Sequence, residues 1–523
     1  MQLNGYLLLA LLLPLSAVPT RKASALPPPS HGRPAACAVA DTLPAHIGAL
    51  LADTVAPAGH RPLRWLDVQA TRAFYGRRGH APAWSAGPQP SSAALAGLAL
   101  LLQAEDYGLQ PANYHAPALR ALANQLAEPD STTCRLLPQA RFEVLLTDGL
   151  LQFARHLRRG QLRQTTPSPL EQADSLFEPA AWVAGALAAP DFAAALLGCQ
   201  PPQREYQQLQ RALARWRRRP VGRDSVARRE RAQQLALTLE RWRWTAIPAS
   251  DSDYVLVNLP AYALEVVRGG RVRQTHRLVI GKPESPTPTL SSQLKVFTLS
   301  PEWRVPHSIA TKELLPQLRE SPRYAIDNNY VIYDAQGQPV NPRAVDWWDV
   351  RPDRFRYTIR QNPGQGNALG TVIFRFANPY EVYMHATSRP RDFTQAYRAL
   401  GHGCMRVERP LRLAAFLLGA DSTLAMLPPE PAPKAIKGAR KAAPAAASRP
   451  RRVVLPRPVA LHVRYATCAV VGGQLRFYPD VYEQDEALRA QLFGPRPPAT
   501  EPARDAPTRP AAVLAARRGP ATP

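Results

Sequence analysis

The chain has 523 residues, enough for two or three domains and a large core. Its 65 Lys and Arg against 40 Asp and Glu leave a net charge of +25, a surface drawn to polyanions such as nucleic acid, anionic lipid or an acidic cell-wall polymer. No RNA-binding motif, zinc-finger spacing or heptad basic region accompanies that charge, so nucleic acid is the weaker reading, and a wall polymer or peripheral contact with an anionic membrane stays open.

Leu7 to Val18 is an apolar run of signal-peptide length, too short to span a bilayer, and Ala23-Ser24-Ala25 offers a small-x-small cleavage site. Residues 1–25 are therefore expected to be a signal peptide and the protein to be exported to the periplasm. The alternative is an uncleaved anchor, because no Lys or Arg precedes the apolar run and Arg21-Lys22 follows it. Cys37 lies too far downstream for a lipoprotein site. Residues 26–36 are proline-rich.

From about 41 to 247 the pattern is helical. Ala93–Ala104 is an Ala/Leu helix stopping near Gly108. Arg141–Leu157 carries Phe142, Leu145, Leu146, Leu150 and Phe153 at helical spacing, and Gln203–Trp216 is amphipathic. No catalytic constellation stands out in 26–247, which is expected to be a mainly helical scaffold domain. At Tyr254 the period changes: 254–259, 264–267 and 272–280 read as strands with a Gly269-Gly270 hairpin, and strands return at 371–376 and 381–384. The intervening 301–366 is irregular and rich in Trp, Pro and Arg, and is expected to be a lid. Residues 429–457 read as a disordered Pro/Ala/Lys/Arg insertion, 459–465 and 475–478 as further strands, and 494–523 as a disordered basic tail. The fold class expected is α+β, with the β-rich domain over 248–493.

Five cysteines (37, 134, 199, 404 and 468) show no metal-ligand spacing. In an oxidising compartment four could pair, in three connectivities, leaving one thiol; equally, the others could be buried and reduced. Neither a metal nor a cofactor is called for.

The chemistry gathers at Tyr383-Met384-His385 and Gly401-His402-Gly403-Cys404-Met405-Arg406, where one histidine precedes one cysteine by nineteen positions (404 − 385 = 19). A free thiol of pKa ~8.5 is only slightly ionised at neutral pH, and a nearby imidazole can lower that value and act as its base. Gly401 and Gly403 allow a sharp turn before Cys404. The N–H groups of Gly403 and Cys404 could face an oxyanion, each donor being worth ~2.7–4 kcal/mol of barrier. Arg406 could hold the turn or bind a carboxylate.

These residues resemble the signature of L,D-transpeptidases of the YkuD type, a histidine followed by Ser/Thr-His-Gly-Cys-x-Arg. The likeness extends to Arg241-Trp242-Arg243-Trp244, Val257–Pro260, Val279–Pro283, Thr287-Pro288, Trp303–Pro306, Val345–Trp347, Asn362–Gly364, Tyr465–Thr467 and Tyr478–Tyr482, which look like the large Gram-negative subgroup. The resemblance implies a β-rich catalytic domain with a lid, and 3→3 cross-linking of peptidoglycan stem peptides, donor tetrapeptide and acceptor stem. It implies Cys404 as nucleophile, His385 as general acid and base, and carbapenems as inhibitors. With water as acceptor the same site would be an L,D-carboxypeptidase. Tyr383 is implied as an oxyanion or substrate contact, or else as packing. His402 is expected to shape the turn, and Trp303 and Trp347 to grip the stem or pack in the lid. The sequence departs from the family at Gly401, which replaces Ser/Thr, and at Ala386, where no polar residue follows the histidine, so a backbone carbonyl would have to fix the His385 tautomer. A non-catalytic wall-binding protein is the rival of a different class. Ser292-Gln293-Leu294-Lys295 matches the S-x-x-K of penicillin-binding proteins, but it lacks companion motifs and reads as coincidence.

Overall fold

The computed structural model describes residues 42–52, 63–128, 135–162, 177–220, 225–244, 252–364, 366–419 and 449–494. The expected signal peptide, Cys37, Cys134, residues 429–448 of the insertion and the tail after Gly494 lie outside them.

Nine helices are described before the first long strand: α1 (Leu43–Ala52), α2 (Val68–Gly76), α3 (Ser92–Leu102), α4 (Ala116–Ala127), α5 (Leu136–Arg159), α6 (Pro179–Leu187), α7 (Phe192–Leu197), α8 (Arg204–Arg218) and α9 (Ser225–Arg243). Their starts follow from capping chemistry. Asp67, Ser91 and Asp191 accept hydrogen bonds from Ala70 N, Ala94 N and Ala194 N. The axis of the scaffold is α5, whose Phe142, Leu146, Leu150, Leu151 and Phe153 are fully buried. Gly149 lets the backbone of Tyr114 come close, since a Cβ there would lie 2.7 Å from the Tyr114 carbonyl oxygen.

The β-rich half begins with β1 (Asp253–Asn258), β2 (Ala263–Arg268), β3 (Arg271–Gly281) and β4 (Leu290–Leu299). It continues through short strands β5 (Trp303–Arg304), β6 (Tyr330–Tyr333), β7 (Pro339–Val340) and β8 (Thr358–Gln361). The last set is β9 (Val372–Arg375), β10 (Met384–His385), β11 (Ala399–Gly401), β12 (Met405–Val407), β13 (Arg451–Arg464), β14 (Cys468–Val471) and β15 (Gln474–Phe477). The main sheet runs β11-β3-β12-β10-β9-β4-β13-β1-β2, and β2 pairs again with β3, so the sheet closes on itself. β1 is buried on both faces. Val255 and Val257 point into the interior with Leu278, Phe297, Phe374 and Leu461, whereas Tyr254 and Leu256 meet Tyr206, Leu209, Leu239 and Trp242 of α8 and α9. The last two scaffold helices thus pack on the outside of the barrel.

Residues 301–366 differ from expectation. They form a folded subdomain rather than an irregular lid, with its own sheet β5-β8-β6-β7 and a core of Leu314, Leu315, Leu318, Ile332, Trp347 and Ile359. Strands of two to four residues leave too little alternation to be read from the sequence.

The expected disordered insertion also ends earlier than its composition suggests. β13 starts at Arg451 and pairs with β4 from Arg451↔Leu299 to Val463↔Leu290, with a register shift between Val454 and Val459. Pro456 and Pro458, which have no N–H to give the ladder, fall in that bulge.

Candidate active site

His385 ends β10 and Cys404 immediately precedes β12. The two strands are parallel neighbours in the register Met384↔Met405 and His385↔Arg406, and Met405 N donates to the Tyr383 carbonyl at 3.0 Å. Met384 and Met405 are fully buried in the barrel core. Because successive side chains alternate faces, Tyr383, His385, Cys404 and Arg406 share the opposite face. The Tyr383 and His385 rings lie 5.6 Å apart between centroids.

The turn carrying Cys404 is clamped from two sides. Gly403 has φ +107°, a conformation that favours glycine. The Thr287 hydroxyl donates to the Gly403 carbonyl at 2.7 Å and accepts from Gly281 N at 3.0 Å. Tyr482 donates its hydroxyl to the Gly281 carbonyl at 2.7 Å, and Lys282 N donates to the Gly401 carbonyl at 3.0 Å. A Cβ on Gly281 would sit 2.2 Å from the Ser285 carbonyl oxygen and 2.9 Å from Gly403 N, so only glycine lets these two loops meet. Among the described residues, neither the Gly403 nor the Cys404 N–H is engaged by another protein group. Both remain available to an oxyanion.

Arg406 forms an ion pair with Asp392 at 2.8 Å. Its guanidinium is thereby tied to the short helix Pro390–Thr394. His402 is half-exposed and points away from Cys404 chemistry toward the lid, meeting Glu313 at 2.7 Å. Trp347 is buried in the lid core and donates its indole N–H to the Pro342 carbonyl at 2.8 Å, which is packing. Trp303 behaves differently. It is half-buried and lies near the Tyr383 hydroxyl, which in turn lies near the Cys404 sulfur and opposes the rise of the thiol.

Electrostatics leave both reacting groups neutral. Burial, helped by the Arg406 charge, pushes His385 down to about 3. Its Nδ1 is buried with no hydrogen-bond partner among the described residues, although the carbonyls of Ala386 and Leu369 lie beside the ring and favour its protonated form. The thiol of Cys404 is also pushed up by burial, against the opposing pull of the Tyr383 N–H and hydroxyl and of Arg375 and Arg406. This departs from the expectation of a thiol acidified by imidazole: desolvation outweighs every nearby positive group. The resting state is thus a neutral thiol and a neutral imidazole rather than an ion pair.

Several positioning residues were not assigned roles from sequence. Thr287, Gly281 and Tyr482 belong to stretches that carried the family likeness, but only their contacts reveal the clamp. Asn367 is another. Fully enclosed, it donates to the Pro301, Gln361 and Asn362 carbonyls and accepts from Leu369 N, shaping the turn that brings the Leu369 carbonyl to His385. Ser292 is a strand residue whose hydroxyl donates to the Ala377 carbonyl at 2.7 Å, in agreement with the reading of the S-x-x-K pattern as coincidence. Cys199 and Cys468 are buried free thiols.

Residues 252–436 match the family model described as the L,D-transpeptidase catalytic domain, and residues 69–213 match a scaffold domain. A Haemophilus influenzae protein with the name "Putative L,D-transpeptidase" is 30% identical over 256 residues, 49% of this chain and 49% of that protein, so the chain spans about half the length of that relative. The fold, the signature and these matches agree: the chain carries an L,D-transpeptidase catalytic domain of the YkuD family joined to a scaffold domain.

Proposed function

We propose that the protein works outside the cytoplasm as a peptidoglycan L,D-transpeptidase forming 3→3 cross-links through a Cys404 thioester. The observation that carries this reading is the common face of Tyr383, His385 and Cys404 beside two unengaged N–H groups. Cys404 gives its proton to His385 as its sulfur attacks the carbonyl carbon of the third residue of a tetrapeptide stem. The oxyanion is held by the N–H groups of Gly403 and Cys404, with the Tyr383 hydroxyl as a third donor. The C–N bond then breaks, and His385 passes the proton to the departing terminal D-alanine amine. A side-chain amine of a second stem attacks the thioester, loses a proton to His385 and restores the thiol. Water as acceptor would release the shortened stem instead.

Muropeptide digests test the reading. Wild-type protein is expected to generate 3→3 dimers and Cys404→Ala none, while Ser292→Ala retains them. Dimers made by Cys404→Ala would overturn the mechanism. Tripeptide monomers without dimers would assign water as the acceptor. Intact-mass analysis after carbapenem exposure is expected to give one adduct on wild type and none on Cys404→Ala.

A further inference from the structure

Between the lid subdomain and the barrel runs a cleft of about 840 Å³ whose lining includes Tyr383. Arg304 and Arg356 stand on its lid wall and Arg375 on its barrel wall, all three exposed. Neighbouring arginines are neutralised within the protein, Arg360 by Glu302 at 3.3 Å and Arg406 by Asp392 at 2.8 Å. Among the described residues, no carboxylate lies within ion-pair distance of Arg304, Arg356 or Arg375, and Glu381 is the one acidic side chain lining the cleft. Three guanidinium groups in one concavity, drawn from two separate subdomains, set up a positive field with a low-dielectric wall behind it. That field reaches the reacting atoms. The Arg375 guanidinium lies 5.2 Å from the centroid of the Tyr383 ring, and its charge acts on the Cys404 thiol.

We propose that this cleft is a carboxylate-reading subsite: it takes an acidic peptide strand carrying two or more free carboxylates and lays it between lid and barrel, with Arg375 binding the carboxylate nearest the thiol. Guanidinium groups suit this task because they present planar pairs of N–H donors to a carboxylate. The identity of the peptide as a wall stem rests on the transpeptidase reading, while the anion preference does not. The subsite also explains why the basic surface includes a concave part: the wide positive field attracts the polymer, and the cleft selects its charged peptide.

The test uses the full chain and a tetrapeptide donor in two forms, one with free side carboxylates and one with those carboxylates amidated. Wild type is expected to acylate from the acidic form with a KM at least tenfold lower than from the amidated form, and salt raised to about 0.5 M should narrow that gap. The double variant Arg304→Gln/Arg356→Gln and the single variant Arg375→Gln should each raise KM for the acidic peptide about tenfold or more, with a rise of threefold at most for the amidated one. Equal losses with both peptides, or no loss with either, would overturn the subsite. A rise confined to the KM of an acidic acceptor would support it and assign the cleft to the acceptor. Binding of the acidic peptide to Cys404→Ala, followed by fluorescence polarisation, separates the two ideas. Arginine-dependent binding with no turnover in wild type would sink the transpeptidase reading and keep the subsite. Turnover that is indifferent to peptide charge would do the reverse.

Discussion

His156 in the scaffold and His385 in the barrel are both pushed down to about 3 by burial, yet their ring nitrogens are treated differently. Around His156 both are taken, by the Tyr114 hydroxyl and the Gln152 amide, each at 2.8 Å. The scaffold's buried carboxylates follow the same rule. Asp148 accepts from Leu66 N, Asp67 N, the Thr71 hydroxyl and His115, and Glu143 accepts from Tyr75, Ala83 N and Trp84 N. Around His385, Nδ1 has no partner among the described residues, and the N–H groups of Gly403 and Cys404 are unengaged. These scaffold groups are saturated, whereas those around His385 and the Cys404 turn are left open. The second arrangement is less stable, and it leaves room for reaction.

The sharpest way to break this contrast is to remove one group from each side. His385→Gln is expected to lower turnover at least a thousandfold while thermal unfolding shifts little, because little hydrogen bonding is lost. Asp148→Ala should strand Leu66 N, Asp67 N and His115, the Thr71 hydroxyl keeping the Asp67 carbonyl as acceptor, and lose about 3–5 kcal/mol of stability by denaturant unfolding, with turnover per folded molecule retained. A stable Asp148→Ala protein, or a His385→Gln protein that unfolds, would erase the distinction.

Acid is the next lever. His156, His385 and His462 all sit near 3 when folded, against 6.5 for the free side chain. Between about pH 6.5 and 3 the unfolded chain therefore binds more protons than the folded one. Stability is complete above that window and falls as pH drops through it, by up to about 1.4 kcal/mol per pH unit for each histidine. Replacing His462 with Gln should flatten the fall measured by urea titration across pH, and an unchanged slope would contradict its neutral burial. In the same spirit, alkylation of Cys404 by iodoacetamide should quicken about tenfold per pH unit from pH 7 upward, since the raised thiol remains protonated there.

Smaller effects test the clamp and the lid. Thr287→Val keeps shape but removes the hydroxyl joining Gly281 to Gly403, and should lower turnover about 10–100-fold through loss of positioning. Its thiol should alkylate no faster than that of wild type, whereas a general unfolding would expose the thiol and speed the reaction. Glu313→Gln breaks the half-exposed pair with His402 and should change stability by no more than about 1 kcal/mol. Its effect is expected in the hydrogen exchange of 310–314, not in the folding of the barrel.

The sequence made the broad division visible because each half has its own period. The helix around Phe142–Phe153 and the hairpin at Gly269-Gly270 were legible from spacing alone, and Cys404 and His385 as candidates from their spacing together with the family signature. β4 was harder: Leu290, Ser292 and Leu294 alternate inward, but the parity changes before Phe297 and Leu299, which breaks the period of two. The lid sheet was hidden by strand length. The clamp was hidden for another reason, since Thr287, Tyr482 and Cys404 are distant in sequence and adjacent only once β3 and β12 pair. The thiol's environment was misjudged because burial depends on packing that no local pattern encodes.

The Tyr482 hydroxyl has a consequence for the order in which the protein assembles. It reaches the Gly281 carbonyl from 78 residues beyond Cys404 (482 − 404 = 78), and β13, the strand between β4 and β1, is itself completed only at Arg464. At ribosomal speeds of about 5–20 residues per second, roughly 4–16 s separate the appearance of the thiol from that of the tyrosine that steadies its turn. Until then the barrel cannot close and the cysteine is an ordinary thiol on an unfinished chain. The nascent protein therefore carries Cys404 well before the turn that holds it is complete.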